Sequence, residues 1–304
     1  MRASVVIPSW GGAERLPQVL GCLTVQTHPD VEVIVVIDGD IDGSRAVVQT
    51  WQERLNLTII EFPENRGRVA ALNAGLTAAT GEVLIRCDDD LLTPPTHVAR
   101  HVAHHEHAVD AIGVIGLCPN DFPDTPYARV YGRKWDSRFR QFALGLAADE
   151  LWRLWGANVS VTRATWERVG LYDSTYQGYG FEDVDWGYRL HEQGVPIVLD
   201  PGLDALHRGP ATSTEAKVGR AVASGAASTT FSRLHGDHAL GESAAPSDMW
   251  GRMVHAAGHH LQPEQIKTLA RMADHVVGHV PVRVGEKVIA FAVESASIVG
   301  RAHA

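Results

Sequence analysis

The chain has 304 residues, of which 45% are hydrophobic and 21% are charged, and its formal net charge is −9. This length allows one large or two modest domains with a true core, and the acidic balance argues against a general nucleic-acid-binding protein. The sequence has no apolar run of roughly 18 residues that could cross a bilayer, and its short apolar start breaks at Pro8, unlike a signal peptide.

The three cysteines, Cys22, Cys87 and Cys118, lie far apart and lack the spacing of a metal or disulfide site. Such cysteines are typical of buried, reduced thiols in a reducing compartment. We therefore expect a cytoplasmic protein, with contact to the inner face of the membrane left open.

Strands and helices alternate through the first part of the chain. Apolar runs predict strands over Ser4–Ile7, Val31–Ile37, Leu57–Phe62 and Glu82–Cys87, with helices over Glu14–Gln26, Ser44–Leu55 and Val69–Ala79 between them. The near-continuous apolar character of Val31–Ile37 is typical of a strand buried on both faces of a parallel sheet. This alternation predicts a doubly wound, mostly parallel α/β sheet.

The middle of the chain, from about 119 to 155, is less regular and mixes aromatic with basic residues. They include Tyr127, Tyr131, Trp135, Phe139 and Phe142 together with Arg129, Arg133, Lys134, Arg138 and Arg140. Two interpretations stay open: a surface that stacks the sugar or lipid of a negatively charged acceptor, or an amphipathic helix whose aromatic side chains pack inward. A short strand over 156–162, a glycine-containing loop that enters a helix near Glu182, and a strand over Val195–Leu199 follow.

Small residues and histidines dominate after Arg208, and Ile266, Leu269, Ala270 and Ala273 form one apolar helical face. We therefore place a boundary near residue 212, between a domain over residues 1–212 and a helical region over 213–304. That region is expected to cover an acceptor site, to form a homodimer or to contact a membrane surface.

Polar residues follow three of the predicted strands: Pro8-Ser9, Asp38 and Asp88-Asp89-Asp90. Ligands of open α/β sheets bind beyond the carboxyl ends of the strands, so these residues are expected to share one rim. Three adjacent carboxylates repel one another and are costly to bury, unless a hard cation such as Mg²⁺ or Mn²⁺ binds there. The alternative is an acidic turn after a strand.

The segment Asp38-Gly-Asp-Ile-Asp-Gly has the opening spacing of a calcium-binding loop. The twelfth position, which should be a bidentate glutamate, is Gln49, and the segment follows a strand. The sequence therefore favours a carboxylate, Asp38, directed at a ligand such as a nucleobase.

Carboxylates at Glu182 and Asp183 open a predicted helix, where they either cap it or supply a general base. His207 is either structural or a metal ligand beside Asp90. Another four histidines share one predicted helix and could bind a transition metal, but the absence of accompanying cysteines or carboxylates favours a polar helix face. They are His97, His101, His104 and His105.

Seven segments in order resemble an inverting glycosyltransferase of family 2. They begin at Val5, Val33, Asn65, Gly81, Gly156, Gly178 and His207, and the resemblance covers residues 3–208. It implies the GT-A fold, a Rossmann-like and mostly parallel sheet flanked by helices. It also implies transfer of one sugar from a nucleoside-diphosphate sugar, with uridine favoured as the base, to a hydroxyl of a glycan, a lipid-linked or a small-molecule acceptor.

The resemblance also assigns roles to individual residues. The donor would be held by Pro8, Ser9, Asp38, Asn65, Gly67, Asn73, Asp88 and Asp89. Mn²⁺ or Mg²⁺ would be bound by Asp90 and His207, with Asp88 in the metal shell. Asp183 would be the catalytic base and Glu182 would touch the acceptor or the donor sugar. The sugar would be bordered by Trp155, Gly156 and Asn158.

The chain departs from the family pattern in three places. Ile37 and Asp40 stand where the family often has aspartate and serine, and no Gln-x-x-Arg-Trp motif follows Arg208, unlike the processive synthases. A catalytically silent nucleotide-sugar-binding scaffold is one alternative. A sugar nucleotidyltransferase is another, although Gly11-Gly12 with the single Arg15 is a poor version of its phosphate loop.

Overall fold

The computed structural model describes residues 1–241 and 247–304, which form two compact units. Unit 1 comprises Met1–Asp121, Arg140–Gln177 and Glu182–Gly209. Unit 2 comprises Phe122–Phe139, Gly178–Phe181 and Pro210–Ala304. The boundary expected near residue 212 falls close to Pro210, but unit 2 also takes in two earlier segments that the sequence did not assign to it.

Unit 1 is built on a seven-stranded sheet in the order β3-β2-β1-β4-β7-β6-β8. These strands are β1 (Ala3–Ser9), β2 (Val31–Ile37), β3 (Leu57–Glu61), β4 (Val83–Cys87), β6 (Gly113–Ile115), β7 (Asn158–Thr162) and β8 (Ile197–Leu199). A separate antiparallel pair joins β5 (Leu91–Leu92) to β9 (Leu206–His207). Strand β7 runs antiparallel to β4 and β6, and the other pairs of the large sheet are parallel. The predicted mostly parallel sheet is therefore confirmed.

Strands β1, β2 and β4 lie side by side and in parallel, so their carboxyl ends meet at one edge of the sheet. Their apolar side chains are almost fully buried, because helices cover both faces. The helices before unit 2's C-terminal part are α1 (Leu16–Thr24), α2 (Ser44–Gln49), α3 (Arg68–Ala78), α4 (His97–His107), α5 (Arg133–Gly145), α6 (Arg163–Val169) and α7 (Glu182–Glu192). This packing brings the three predicted polar strand ends to a common rim.

Helix α2 is shorter than the predicted Ser44–Leu55. Both the amide and the hydroxyl of Thr50 donate to the Val47 carbonyl, and the Trp51 amide donates to Val48. These i to i+3 bonds tighten the chain and end the helix.

Unit 2 contains four further helices: α8 (Thr214–His235), α9 (Met249–His260), α10 (Pro263–Val276) and α11 (Val282–Ala302). The predicted helical C-terminal region is therefore confirmed. Helices α8 and α11 pack closely, since a β-carbon at Gly225 or Gly300 would collide with the backbone of the other helix. Within residues 1–241 and 247–304, no helix combines the length and the apolar character needed to span a membrane.

The predicted polar face of α4 is wrong. His97, His101 and His105 are buried, and Ser160 on β7 contacts both His101 Nδ1 (2.9 Å) and His105 Nε2 (2.8 Å). His104 pairs with Asp200 at 2.7 Å instead. Sequence spacing could not show that this face points at the sheet, because histidine is common both on surfaces and in cores.

His97 is the least satisfied member of this face, since neither ring nitrogen has a hydrogen-bond partner among the described residues. Burial lowers the pKa of His97 to about 4. In the unfolded chain the ring has a pKa of about 6.5 and takes up a proton below that pH, whereas the buried ring of the folded protein stays neutral until about pH 4. The folded state therefore loses about 3 kcal/mol of stability as the pH falls from about 6.5 to 4.

We expect His97→Leu to raise the free energy of unfolding by about 1 kcal/mol at pH 7.5, because it removes an unpaired buried N–H. The gain should be larger at pH 5, where protonation of His97 in the unfolded state lowers the stability of the wild-type protein. Urea denaturation at both pH values measures this, with the exposed His107→Leu on the same helix as control. An equal pH dependence in the wild type and His97→Leu would contradict it.

Candidate active site

The three consecutive carboxylates after β4 turn to three different partners. Asp88 faces Arg86, with Nε 2.9 Å from Oδ1 and Nη2 3.3 Å from Oδ2. Asp89 accepts from the Ser9 hydroxyl (2.6 Å) and from Arg15 Nη2 (2.9 Å). Asp90 lies against His207. Separate partners remove the repulsion that makes an acidic triplet costly.

Arg86 lies inside β4 and links two candidate site residues. Its guanidinium is 2% exposed and forms an ion pair with Asp183 as well as with Asp88. Burial opposes ionisation of Asp88, but the charges of Arg86 and Arg68 outweigh it and lower the pKa of that carboxyl. Sequence reasoning missed Arg86, although a basic residue within an otherwise buried strand is itself a signal of a paired functional charge.

Glu182 and Asp183 occupy the first turn of α7, as predicted for either a cap or a base. Burial raises the pKa of Asp183 to about 7, against the opposing charge of Arg86 and with support from the negative charge of Glu182. Glu182 is 1% exposed, and its Oε1 lies 3.5 Å from Arg68 Nη1. A carboxylate that still exposes 19% of its side chain and titrates near neutral pH is suited to accept a proton.

Asp90 and His207 form the best candidate metal centre. The pairing of β5 with β9 brings Asp90 Oδ2 within 3.2 Å of His207 Nε2. His207 Nδ1 lies 2.7 Å from Asn120 Oδ1, and this contact directs Nε2 at the Asp90 carboxylate. A carboxylate oxygen and an imidazole nitrogen at this distance can both bind one divalent cation.

Gly209 leaves room for that cation. A β-carbon at this position would collide with Asp90 Oδ2 and would lie 3.3 Å from His207 Nε2. Mg²⁺ and similar ions are commonly bound by one or two protein groups plus substrate phosphates, so two protein ligands fit a site that a donor completes.

Asp88, the third predicted metal ligand, does not join this pair. Residues 1–241 and 247–304 contain no group of three histidine, cysteine, aspartate or glutamate side chains that could hold a metal. Both oxygens of Asp88 bond to Arg86, so its expected place toward the ribose or in the metal shell stays a prediction.

The predicted donor residues gather at the ends of β1 and β2. Pro8 and Ser9 close β1, and Asp38 follows β2 and accepts from the backbone amides of Arg66 (2.6 Å) and Gly67 (2.9 Å). Only glycine fits at Gly39, with φ +85°, since a β-carbon there would lie 2.9 Å from the amide nitrogen of Asn65. Asp38 thus orders the 65–67 loop, and its contact with a base stays a prediction.

Two polar side chains near the rim, one amide and one carboxylate, hold the local backbone in place. Asn73 exchanges two hydrogen bonds of 2.9 Å with the backbone of Tyr172, so both ends of its amide are occupied. Asp42, part of the calcium-like segment, accepts from Ala13 and Ser44 at the start of α2. Asn73 therefore shapes the cleft by holding the Tyr172 loop, and direct contact of Asn73 with a nucleotide stays a prediction.

The three residues expected to border the sugar separate. Asn158 is 1% exposed, and its amide bonds to His101 Nε2 (3.1 Å) and to the Leu203 carbonyl (2.8 Å), so a contact of Asn158 with the sugar stays a prediction. Trp155 is also buried, and its ring packs against that of Trp186 with ring centres 5.2 Å apart. Gly156 remains partly exposed, and its sugar contact stays a prediction.

Comparison with known protein families gives two matches. The model of "Glycosyl transferase family 2" matches residues 4–164, and that of "N-terminal domain of galactosyltransferase" matches residues 144–206. Together the two matches cover residues 4–206, and therefore every candidate site residue described above except His207 and Gly209.

Named relatives are similar to this chain over about two thirds of its length. A validoxylamine A glucosyltransferase of Streptomyces hygroscopicus subsp. jinggangensis is 33% identical over 235 residues, which cover 67% of this chain and 55% of the relative. An undecaprenyl-phosphate 4-deoxy-4-formamido-L-arabinose transferase of Proteus mirabilis is 29% identical over 208 residues, which cover 66% of this chain and 56% of the relative. The chain thus spans about half the length of the curated relatives it matches.

Solved structures share the fold at low identity. A mannosyltransferase of Pyrobaculum calidifontis, in complex with GDP-Man and Mn²⁺, has a TM-score of 0.63 and 21% identity, over 97% of this chain and 86% of that one. TarS of S. aureus, in complex with UDP-GlcNAc, has a TM-score of 0.54 and 16% identity, over 97% of this chain and 90% of that one. These likenesses confirm the GT-A architecture expected from the sequence.

Proposed function

The chain belongs to glycosyl transferase family 2, and on that premise we propose that it moves one sugar from a nucleoside-diphosphate sugar to an acceptor hydroxyl, with inversion at the anomeric carbon. The observation that carries this proposal is Arg86, which ties the candidate base Asp183 to the acidic triplet at the end of β4. The candidate base and the candidate metal centre are thereby both attached to the carboxyl end of β4. Solved relatives bind GDP-Man and UDP-GlcNAc, and uridine is proposed here on the family resemblance.

The proposed site has an acceptor side and a donor side. Asp183 takes the proton from the acceptor hydroxyl as its oxygen attacks, and Arg86 holds that carboxylate in place. Ser9, Asp38, Gly67 and Asp89 shape the donor side of the rim.

A divalent cation completes the site. We assign this cation to Asp90 and His207, because Gly209 leaves room beside that pair. When bound, Mn²⁺ or Mg²⁺ supplies Lewis-acid stabilisation of the leaving diphosphate. The mannosyltransferase relative carries Mn²⁺, which supports this assignment.

The acceptor belongs to one of the classes for which relatives are named. One relative is a validoxylamine A glucosyltransferase and another an undecaprenyl-phosphate sugar transferase. The acceptor proposed for this chain is accordingly a small molecule, a lipid-linked sugar or a glycan with a free hydroxyl.

A thermal-shift screen of nucleoside-diphosphate sugars with Mn²⁺ tests the donor class. Because a ligand at about 100 times its Kd stabilises the native state by about 2.7 kcal/mol, the cognate donor should raise the Tm by several degrees. The same samples, analysed for free sugar, report slow donor hydrolysis. Binding without hydrolysis or transfer would instead support a silent scaffold, and no shift with any such donor would contradict the proposal.

A further inference from the structure

One side of α8 in unit 2, which we call the α8 face, carries Lys217, Arg220, Ser224 and the fully buried Phe231. Their spacing places them on one side of the helix. The Lys217 ammonium lies 3.5 Å from the ring centre of Trp135. Trp135 in turn stacks on Phe139, with ring centres 5.5 Å apart and an interplanar angle of 8°.

The segment 178–181 lies along the same face. The Arg220 guanidinium lies 5.9 Å from the ring centre of Tyr179, a β-carbon at Gly180 would lie 3.3 Å from Ser224 Cα, and the rings of Phe181 and Phe231 are 5.6 Å apart. Phe181 has φ +68°, a conformation that no other non-glycine residue within 1–241 and 247–304 adopts. Such strain persists only where packing enforces it. The segment is followed directly in the chain by Glu182 and Asp183.

Lys217 forms no close ion pair. Within the described parts of the chain its ammonium has no carboxylate within 4.0 Å and no hydrogen bond, whereas Lys134 and Lys267 each pair with a glutamate at 2.7 and 2.8 Å. Burial, with help from the charge of Arg220 and against the more distant charge of Asp136, lowers the pKa of Lys217 to about 8. A partly desolvated ammonium without a direct ion pair is costly, and an anionic ligand in contact with it would lower that cost.

Two aromatic rings of unit 2, next to Trp135 and Arg220 respectively, are exposed. The Phe139 side chain is 37% exposed and that of Tyr179 is 44% exposed, while Tyr127 and Tyr131 are buried in the core of the unit. Of the two interpretations of the basic and aromatic middle, inward packing therefore holds for these tyrosines, and the exposed rings are available to a sugar.

We propose that the α8 face binds an acceptor whose sugar carries a phosphate or carboxylate group, with the anion at Lys217 and the sugar against Phe139 and Tyr179. This inference rests on the proposed transfer reaction and names the acceptor class. Lysine serves phosphate and carboxylate as a point charge, so either anion suits it. A neutral acceptor would leave the Lys217 ammonium without a direct ion pair.

Ligand-observed NMR titration of the full chain tests this with four probes: glucose 6-phosphate, glucuronate, glucose and inorganic phosphate. Glucose 6-phosphate and glucuronate should bind saturably, and Lys217→Met should weaken both by at least about tenfold, or about 1.4 kcal/mol. Methionine keeps the packing over Trp135, and Lys217→Arg, which keeps the charge, should restore binding to within about threefold. The matched control is Lys287→Met, because the exposed Lys287 also lies over a tryptophan, 4.3 Å from the Trp250 ring centre.

Three results would overturn the inference: equal affinity of the wild type and a folded Lys217→Met, equal binding of glucose and glucose 6-phosphate, or inorganic phosphate binding as tightly as the anionic sugars. Tm values show whether each variant is folded. The donor screen stays separate. If nucleotide sugars bind but anionic sugars do not, this inference fails while the proposed function stands. If anionic sugars bind but no nucleotide sugar does, the proposed transfer reaction is contradicted.

Discussion

Replacing Asp183 with asparagine is expected to slow sugar transfer by about 10²–10⁴-fold, the usual contribution of a general base. Asparagine keeps the size of the side chain and can still contact Arg86, but it cannot accept the proton of the acceptor hydroxyl. Donor affinity should stay close to that of the wild type, because the donor residues lie at the ends of β1 and β2 and bond to other groups. The loss should therefore appear in kcat and not in the Kd of the donor.

The pH profile gives a second signature of the same residue. Because burial raises the pKa of Asp183 to about 7, only about a tenth of it is ionised at pH 6, and the wild-type rate should rise with pH through neutrality. Asp183→Asn should lose this limb of the profile. The control is Glu192→Gln, an exposed carboxylate at the other end of α7.

Outcomes that contradict the role of Asp183 are equally definite. A variant that loses donor affinity as much as turnover would place Asp183 on the donor side. A variant with an unchanged pH profile would assign the titrating group elsewhere. Since Arg86 keeps Asp88 as a partner in Asp183→Asn, a folded protein is expected, and its Tm should be measured alongside.

The rim itself could be predicted from sequence because it follows from local rules. Continuous apolar runs identify β1, β2 and β4, and parallel strands must end at the same edge. The sequence therefore predicts that Ser9, Asp38 and Asp90 lie at one edge, and in the structure the strands that end at these residues are neighbours.

The pairing of individual side chains could not be predicted, since it depends on contacts between residues far apart in the chain. Arg86 meets Asp183 across 97 positions, and Asn158 is taken by His101 across 57. The order of the acidic triplet says nothing about which carboxylate turns to Arg86 and which to His207. The buried face of α4 was misjudged for the same reason, because its partner Ser160 lies on a strand more than 50 positions away.

Metal removal is the second change with a large expected effect. Because the three carboxylates Asp88, Asp89 and Asp90 have different partners, the effect is expected to depend on Asp90 and not on Asp88. EDTA should abolish transfer, and Mn²⁺ or Mg²⁺ should restore it, because the proposed cation is held by Asp90 Oδ2 and His207 Nε2, which lie 3.2 Å apart. Asp90→Asn should raise the Mn²⁺ concentration needed for half-maximal rate by at least about tenfold, as loss of a metal-site group typically does.

Asp88→Asn distinguishes this arrangement from a shared acidic cage. Both oxygens of Asp88 bond to Arg86, so its replacement should leave the Mn²⁺ requirement unchanged even where it lowers the rate. Asp121→Asn is the control, a partly exposed carboxylate next to Asn120 that pairs with Arg208 and not with His207. Direct Mn²⁺ binding, followed by electron paramagnetic resonance without donor, separates metal affinity from catalysis. Full activity in EDTA would remove the metal from the proposal, and an equal shift for Asp88→Asn and Asp90→Asn would show that the triplet acts as one site.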